Sequence, residues 1–272
     1  MLESRDESRA LLAFAAAVFV FHHLPSLAGE TAGDWIDLLT PFAVIGTAAF
    51  VIGRGASTLV LVVAVIGAVL YVDGHGIHLA ANAIGHEELT GEAKDVTHFW
   101  DEEWGHFEWH LGWFVLIGAL CLGSVKRPWL APVCAVLLGW TFFTSTVEGG
   151  TWWLELAATA VFVPWAFVAR RPILITVASA FGLAALMIGI WALWHQGMPQ
   201  FSDVGLPGGA GDGRRSSSSV ICVSRAKAPP ASHAPGGLAP APRRASGGVP
   251  ARGAARLPRS RPGRGPDPHA SL

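Results

Sequence analysis

The sequence predicts an all-α protein: a polytopic membrane helix bundle of about seven transmembrane helices, followed by a disordered tail. Three observations carry that reading. Of 272 residues, 51% are hydrophobic and only 14% are charged, against about 25% charged in a soluble domain. Apolar runs close to the ~20 residues needed to cross a bilayer recur through the first 200 residues. Positive charge then alternates between successive loops, as it does when loops alternate sides of a membrane.

The runs are Ala10 to Leu24, Trp35 to Gly53, Ser57 to Ile84, His106 to Ser124, Trp129 to Thr146, Trp152 to Ala169 and Pro172 to Trp194. The first is short. Glu3, Arg5, Asp6, Glu7 and Arg9 precede it and no small-residue cleavage site follows His22-His23, so it reads as a retained span rather than a removed signal peptide. Arg5 and Arg9, Arg54, Lys126-Arg127 and Arg170-Arg171 fall at the N-terminus and in the second, fourth and sixth loops. Cytoplasmic loops are the ones enriched in Lys and Arg, which places the N-terminus inside and the C-terminus outside a cell membrane. Trp35, Trp129, Trp152, Trp153 and Trp194 stand at span ends, the interfacial position that tryptophan favours.

Composition changes abruptly near Pro207. Residues 1–207 form the transmembrane domain, with a formal charge of −10 and every Trp and Phe of the chain; residues 208–272 carry +9. This Gly/Ala/Arg/Pro/Ser-rich tail cannot bury enough apolar surface to offset the entropy of ordering and reads as disordered. Its composition is also what GC-rich codons yield in a shifted frame. A basic tail can attract nucleic acid or anionic lipid, but a solvated segment is the simpler reading and no nucleic-acid partner is expected. Cys121, Cys134 and Cys222 form no CxxC pair, so neither a thiolate metal site nor a redox pair is suggested.

On this topology every histidine before the tail falls at or near the outer face, and the inner half is nearly free of titratable groups. Ionisable residues at membrane depth are costly and face a cavity or one another. Two segments carry the signal. In Tyr71-Val-Asp-Gly-His75-Gly-Ile-His78-Leu-Ala-Ala-Asn82, His75, His78 and Asn82 share a helical face, and Gly74 and Gly76 allow another backbone or a ligand close. In His98-Phe-Trp-Asp101-Glu102-Glu103-Trp-Gly-His106-Phe-Glu-Trp-His110, His98, Glu102, His106 and His110 recur every four residues. Two imidazoles four apart on a helix grip one metal, and a nearby carboxylate orients them or acts as base. His75, His78, His106 and His110 are therefore the candidate metal ligands, with Asp73 and Glu102 as candidate catalytic carboxylates. Asn82, His98, Asp101, Glu148, His22 and His23 are expected around them. Four imidazoles exceed the three protein ligands usual at catalytic zinc, so one of the four is expected to support rather than bind.

Seven spans with outer His and Asp and an HxxxH resemble the alkaline ceramidase and adiponectin-receptor superfamily of membrane metal hydrolases. That resemblance implies a Zn2+ held by three histidines, here His106, His110 and His75 or His78, with Asp73 as the acid, and amide hydrolysis within the bilayer. In that family the HxxxH lies on the last helix, whereas here it opens the fourth span, and the family serine has no clear counterpart. The DGHGxH and HFWDE-like stretches are also similar to those of GC-rich bacterial multi-pass membrane proteins.

Three functions remain open on the sequence. The first is a zinc-dependent hydrolase taking a lipid-like substrate from the outer leaflet. The second is a protein that binds haem, or that binds or transfers copper, iron or zinc without hydrolysis; against transfer, the inner half lacks a continuing polar path. The third is a non-catalytic membrane protein whose outer His/acid layer is structural or responds to pH.

Overall fold

The computed structural model of the chain describes residues 2–28, 30–53, 56–85, 89–123 and 129–206, the side chains of 2–6 and 30–31 excepted. The expectations for residues 208–272 lie outside the described residues, as do Arg54, Lys126 and Arg127 among the positive charges used to orient the spans. The described residues are helical and contain no strand: α1 Leu2–Ala28, α2 Glu30–Ile52, α3 Thr58–Gly85, α4 Glu92–His98, a π-helical turn Phe99–Gly105, α5 His106–Leu122, α6 Ala131–Glu148, α7 Trp152–Ala169, α8 Pro172–His195 and a single 3-10 turn Ser202–Val204.

Six of these helices, α1, α2, α3, α6, α7 and α8, are long and apolar enough to cross a membrane. Their outer surfaces explain why. Phe42, Phe50, Val168 and Leu193 stand exposed, which is costly in water and ordinary against lipid. The interior between α5, α6, α7 and α8 is a column of rings. Trp113 meets Phe142 edge-on at 4.8 Å, Phe142 meets Phe181 at 4.7 Å, and Phe162 stacks on Phe181 at 4.7 Å.

The expected outer loop Glu87 to Glu103 is largely helical. From Glu92 the chain runs without a break through the π-turn into α5. The π-turn changes the register, so the every-fourth-residue stripe does not stay on one face. Asp101 and Gly105 become buried, while His98 and Glu103 stay exposed.

Glycines set the closest helix contact. α3 and α5 run antiparallel, with Gly67 against Leu116, Gly112 against Tyr71, Gly74 against Trp109 and Gly105 against His78. A Cβ on Gly67 would stand 2.5 Å from the Leu116 nitrogen, and Cβ atoms on Gly74 or Gly112 would meet the opposing backbone. Small residues let helices in lipid approach until their backbones touch. The expected role of glycine beside His75 therefore holds for Gly74 but not for Gly76, whose Cβ direction is empty.

Proline contributes a further joint. Pro25 lies inside α1 and has no N–H to give to the carbonyl of Phe21. The Thr40 hydroxyl of α2 donates to that carbonyl at 3.2 Å instead. A backbone acceptor that lipid could not satisfy thus ties α1 to α2.

Candidate functional site

The antiparallel register of α3 and α5 brings their histidines to one end of the bundle. His75, His78, His106 and His110 are all buried there. The residue that organises them is Trp109, which the sequence reading passed over. Its indole lies nearly parallel to the imidazoles of His22, His78, His106 and His110, with ring centroids 5.5, 5.5, 5.8 and 5.2 Å away. His75 meets it edge-on at 4.7 Å. The only sequence signal was its place between the two histidines of His106-Phe-Glu-Trp-His110.

Most of these imidazoles have assigned partners. His75 Nε2–H donates to Asp37 Oδ1 at 3.0 Å, joining α3 to α2, and His78 Nδ1–H donates to Asp101 Oδ1 at 2.7 Å, joining α3 to the π-turn. Asp101 was expected to be peripheral; the π-turn points it inward as the direct partner of His78. A carboxylate on one ring nitrogen fixes which nitrogen of a neutral imidazole keeps its proton. In its neutral form His78 would present the Nε2 lone pair, and its ring lines the cavity described below.

His110 is different. Its Nε2 shares a hydrogen bond with Ser145 Oγ at 2.9 Å and its Nδ1 shares one with Thr151 Oγ1 at 2.6 Å. Ser145 had no distinguishing sequence signal; Thr151 closes the Glu148-Gly-Gly-Thr151 turn, in which only Glu148 was expected to reach the site. His22 and His23 donate from Nδ1 to the Val18 and Phe19 carbonyls one turn back, at 2.7 and 2.6 Å. His23 Nε2 also meets Thr144 Oγ1 at 3.0 Å. His106 Nδ1 is buried without a hydrogen bond, with Glu102 Oε2 3.5 Å away. The Trp109 and Trp113 indole nitrogens are likewise buried without a partner.

A cavity of about 790 Å3 opens beside this cluster. Most of the sequence-nominated residues lie on its wall: His22, His23, His78, Asn82, His98, Asp101, Glu102, His106 and Glu148. His75 and His110 sit behind the wall, held by Asp37 and by the two hydroxyls. Asp73, nominated as a catalytic acid, is exposed and is not on the wall, because it falls on the face of α3 turned away from His75 and His78. Glu102 is half-buried. Burial and the neighbouring Asp101 carboxylate hold its carboxyl above the usual carboxylate range.

The chain after α8 returns over the cavity. Glu148 Oε2 accepts the backbone N–H of Phe201 at 2.7 Å and of Ser202 at 3.3 Å. Gln200 donates to Glu102 Oε2 at 3.3 Å, and Phe201 packs on Trp191 and Phe143. Glu148 therefore anchors this segment as well as lining the cavity. Deeper on α7, Glu155 is wholly buried with both carboxyl oxygens unpartnered, away from the cavity wall.

Among the described residues, no three His, Cys, Asp or Glu side chains stand positioned to hold a metal ion. His110 uses both nitrogens on hydroxyls and His75 stands behind the cavity wall, which leaves His78 and His106 on the wall. His78 and His106, with ring centroids 4.4 Å apart, come nearest to a donor pair, and Glu102 is the carboxylate beside them.

No family model, curated protein or solved structure matches the chain.

Proposed function

We propose that the chain is a seven-span membrane protein, N-terminus inside and C-terminus outside, whose extracytoplasmic cavity works as a divalent-metal hydrolytic site on a lipid-like substrate. α5 is the seventh span in this reading. It is short, at 17 residues, but it is apolar and lies along α3 from His78 to Gly67. The observation that carries the site is the carboxylate-held imidazole of His78, bonded to Asp101, on the wall of a cavity that a second imidazole with an unpartnered nitrogen, His106, also lines; His75, held by Asp37, stands behind it. Carboxylates holding the far nitrogen of an imidazole are the usual support around a histidine-bound metal.

Zinc is the first candidate ion, taken by His78 and His106 with Glu102 beside them. A bound zinc would lower the pKa of a coordinated water to ~7. Glu102, already held as an acid of raised proton affinity, is suited to take up and return a proton at that point. The wall also includes Trp140, Phe143 and Leu89, so an amphiphile finds apolar and polar surface together. Haem is served less well, since the His78, His106 and Trp109 rings pack closely on one another rather than standing on opposite sides of a flat gap.

The test is elemental analysis and a visible spectrum of the protein purified in maltoside detergent. About one zinc per chain is expected, lost in His78→Ala and in His106→Ala and kept in Asp73→Ala. A Soret band, or a protein that folds and holds no metal after zinc reconstitution, would overturn the reading.

A further inference from the structure

A second recess, of about 600 Å3, lies beside the main cavity, and Glu102, His98 and Gly149 border both. Its wall is aromatic: Phe99, Trp104, Phe107 and Trp153. Phe107 and Trp153 stack with centroids 5.9 Å apart and 15° between planes; Trp104 joins them 5.8 Å from Phe107. The Trp104 indole N–H donates to Glu108 at 2.9 Å, which holds the ring and uses its one polar atom. Trp104 and Trp153 are 41% and 48% exposed, so ring surface remains free. The charged residues on the recess are Glu102 and Glu103, with no Lys or Arg among its lining.

Aromatic faces and carboxylates together attract a cation. The kind of cation follows from hydrogen-bonding capacity. A primary ammonium brings three N–H donors that need acceptors converging on one point, whereas the recess surrounds a ligand mainly with the ring faces of Phe99, Trp104, Phe107 and Trp153. A quaternary ammonium brings no donors and is held by ring faces and charge alone. We propose that this recess binds a quaternary ammonium group, the choline-type head group of a lipid whose remainder enters the main cavity. This deepens the hydrolytic reading by naming the substrate class, and the head-group interaction itself needs no metal. Interfacial aromatic residues alone would explain rings at this depth. They would not explain two carboxylates among the rings or the continuity with the cavity through Glu102.

The experiment is calorimetric titration of the purified full chain in maltoside with EDTA present. The titrants are tetramethylammonium, choline, a short-chain phosphatidylcholine and the matching phosphatidylglycerol. Saturable binding of the quaternary compounds is expected, with none by phosphatidylglycerol. Tighter binding of the phosphatidylcholine than of choline assigns the cation to a lipid head group; equal binding assigns the recess to the free cation. Trp153→Leu should weaken binding about tenfold, since a partly desolvated cation–ring contact accounts for about that factor. Trp153→Phe, which keeps a ring face, should stay within about threefold of the original and controls for folding. No saturable binding, equal binding of both lipids, or unchanged affinity in Trp153→Leu would overturn the proposal. Because no turnover is measured and EDTA is present, a failed zinc assay leaves this result standing, and the reverse holds too.

Discussion

The histidine-bearing end of the bundle and the opposite end use largely the same helices but are held by different means. At the opposite end, neighbouring elements meet through packing and a few backbone contacts. The Trp129 N–H donates to Ser8 Oγ at 3.3 Å, and Arg171 donates to the Cys121 and Leu122 carbonyls that end α5, at 3.5 and 3.2 Å. Between them lie Leu11, Phe14, Leu120 and Cys134, all buried. At the histidine end, side chains bond side chains across helices: His75 to Asp37, His78 to Asp101, and His110 to Ser145 and Thr151. An apolar surrounding offers no water to complete a missing bond, so the groups paired in this way depend on a partner from another element. The apolar end needs only a good fit; the polar end needs particular residues in register.

That contrast can be broken most forcefully at the register itself. Gly74→Ala places a Cβ against the Trp109 backbone and should cost about 3 kcal/mol, the upper range for overpacking, with loss of folded protein in detergent. Gly76→Ala, one turn-face away with empty space, should be neutral or stabilising by up to ~1 kcal/mol through helix propensity. Equal tolerance of the two, read by thermal unfolding monitored by circular dichroism, would refute the close α3–α5 contact.

Next come the paired groups. Asp37→Ala leaves His75 without its carboxylate and should lose about 3 kcal/mol, as breaking a buried pair does. Asp73→Ala, two residues from the same histidine but exposed, should stay within about 0.5 kcal/mol. Comparable losses at both positions would remove the distinction between the two faces of α3.

A pH series sharpens the comparison at Glu102. Its carboxyl is held above the ordinary range in the folded protein, so the native state binds more protons than the unfolded state between the two values. Stability contributed by that proton is present below the ordinary carboxylate pKa and is lost as pH rises through the raised one. Glu102→Gln should therefore raise the melting temperature at pH 8 relative to wild type, by about 1–3 °C, and gain less or nothing at pH 4. A gain that is larger in acid than in base would reverse the sign and exclude this account.

The smallest effect belongs to the opposite end. Arg171→Ala removes the guanidinium from the α5 carbonyls and should cost about 0.5–1 kcal/mol, the usual worth of a cation at a helix C-terminus. A loss as large as that of Asp37→Ala would mean that this end also depends on specific polar bonds.

Much of the architecture was legible in advance because helix length and apolar content are local properties. The edges of α3, α7 and α8 fall within a residue or two of the apolar runs. The first run extends further at both ends; at its C-terminal end Pro25 is accommodated by Thr40 rather than ending the helix. The loop before α5 was misread because Glu92 to Glu103 is polar, and polarity says nothing against a helix that stands outside the apolar layer. Within the site, clustering at one end followed from span alternation, and His78, His106 and Glu102 were nominated by spacing alone. Trp109 was missed because a tryptophan in an apolar helix has no mark of its own. Asp73 was chosen for its nearness in sequence to His75, and helical geometry turns it to the other face.

What the chain determined by itself is what a single helix can express: apolar segments of spanning length, and polar residues gathered toward alternate ends. Which imidazole meets which carboxylate was decided only when α3 and α5 came together through Gly67, Gly74, Gly105 and Gly112 and when the π-turn rotated Asp101 inward. Hydrogen bonds depend on ångström-scale distances between residues far apart in sequence, and no periodicity along one helix encodes them.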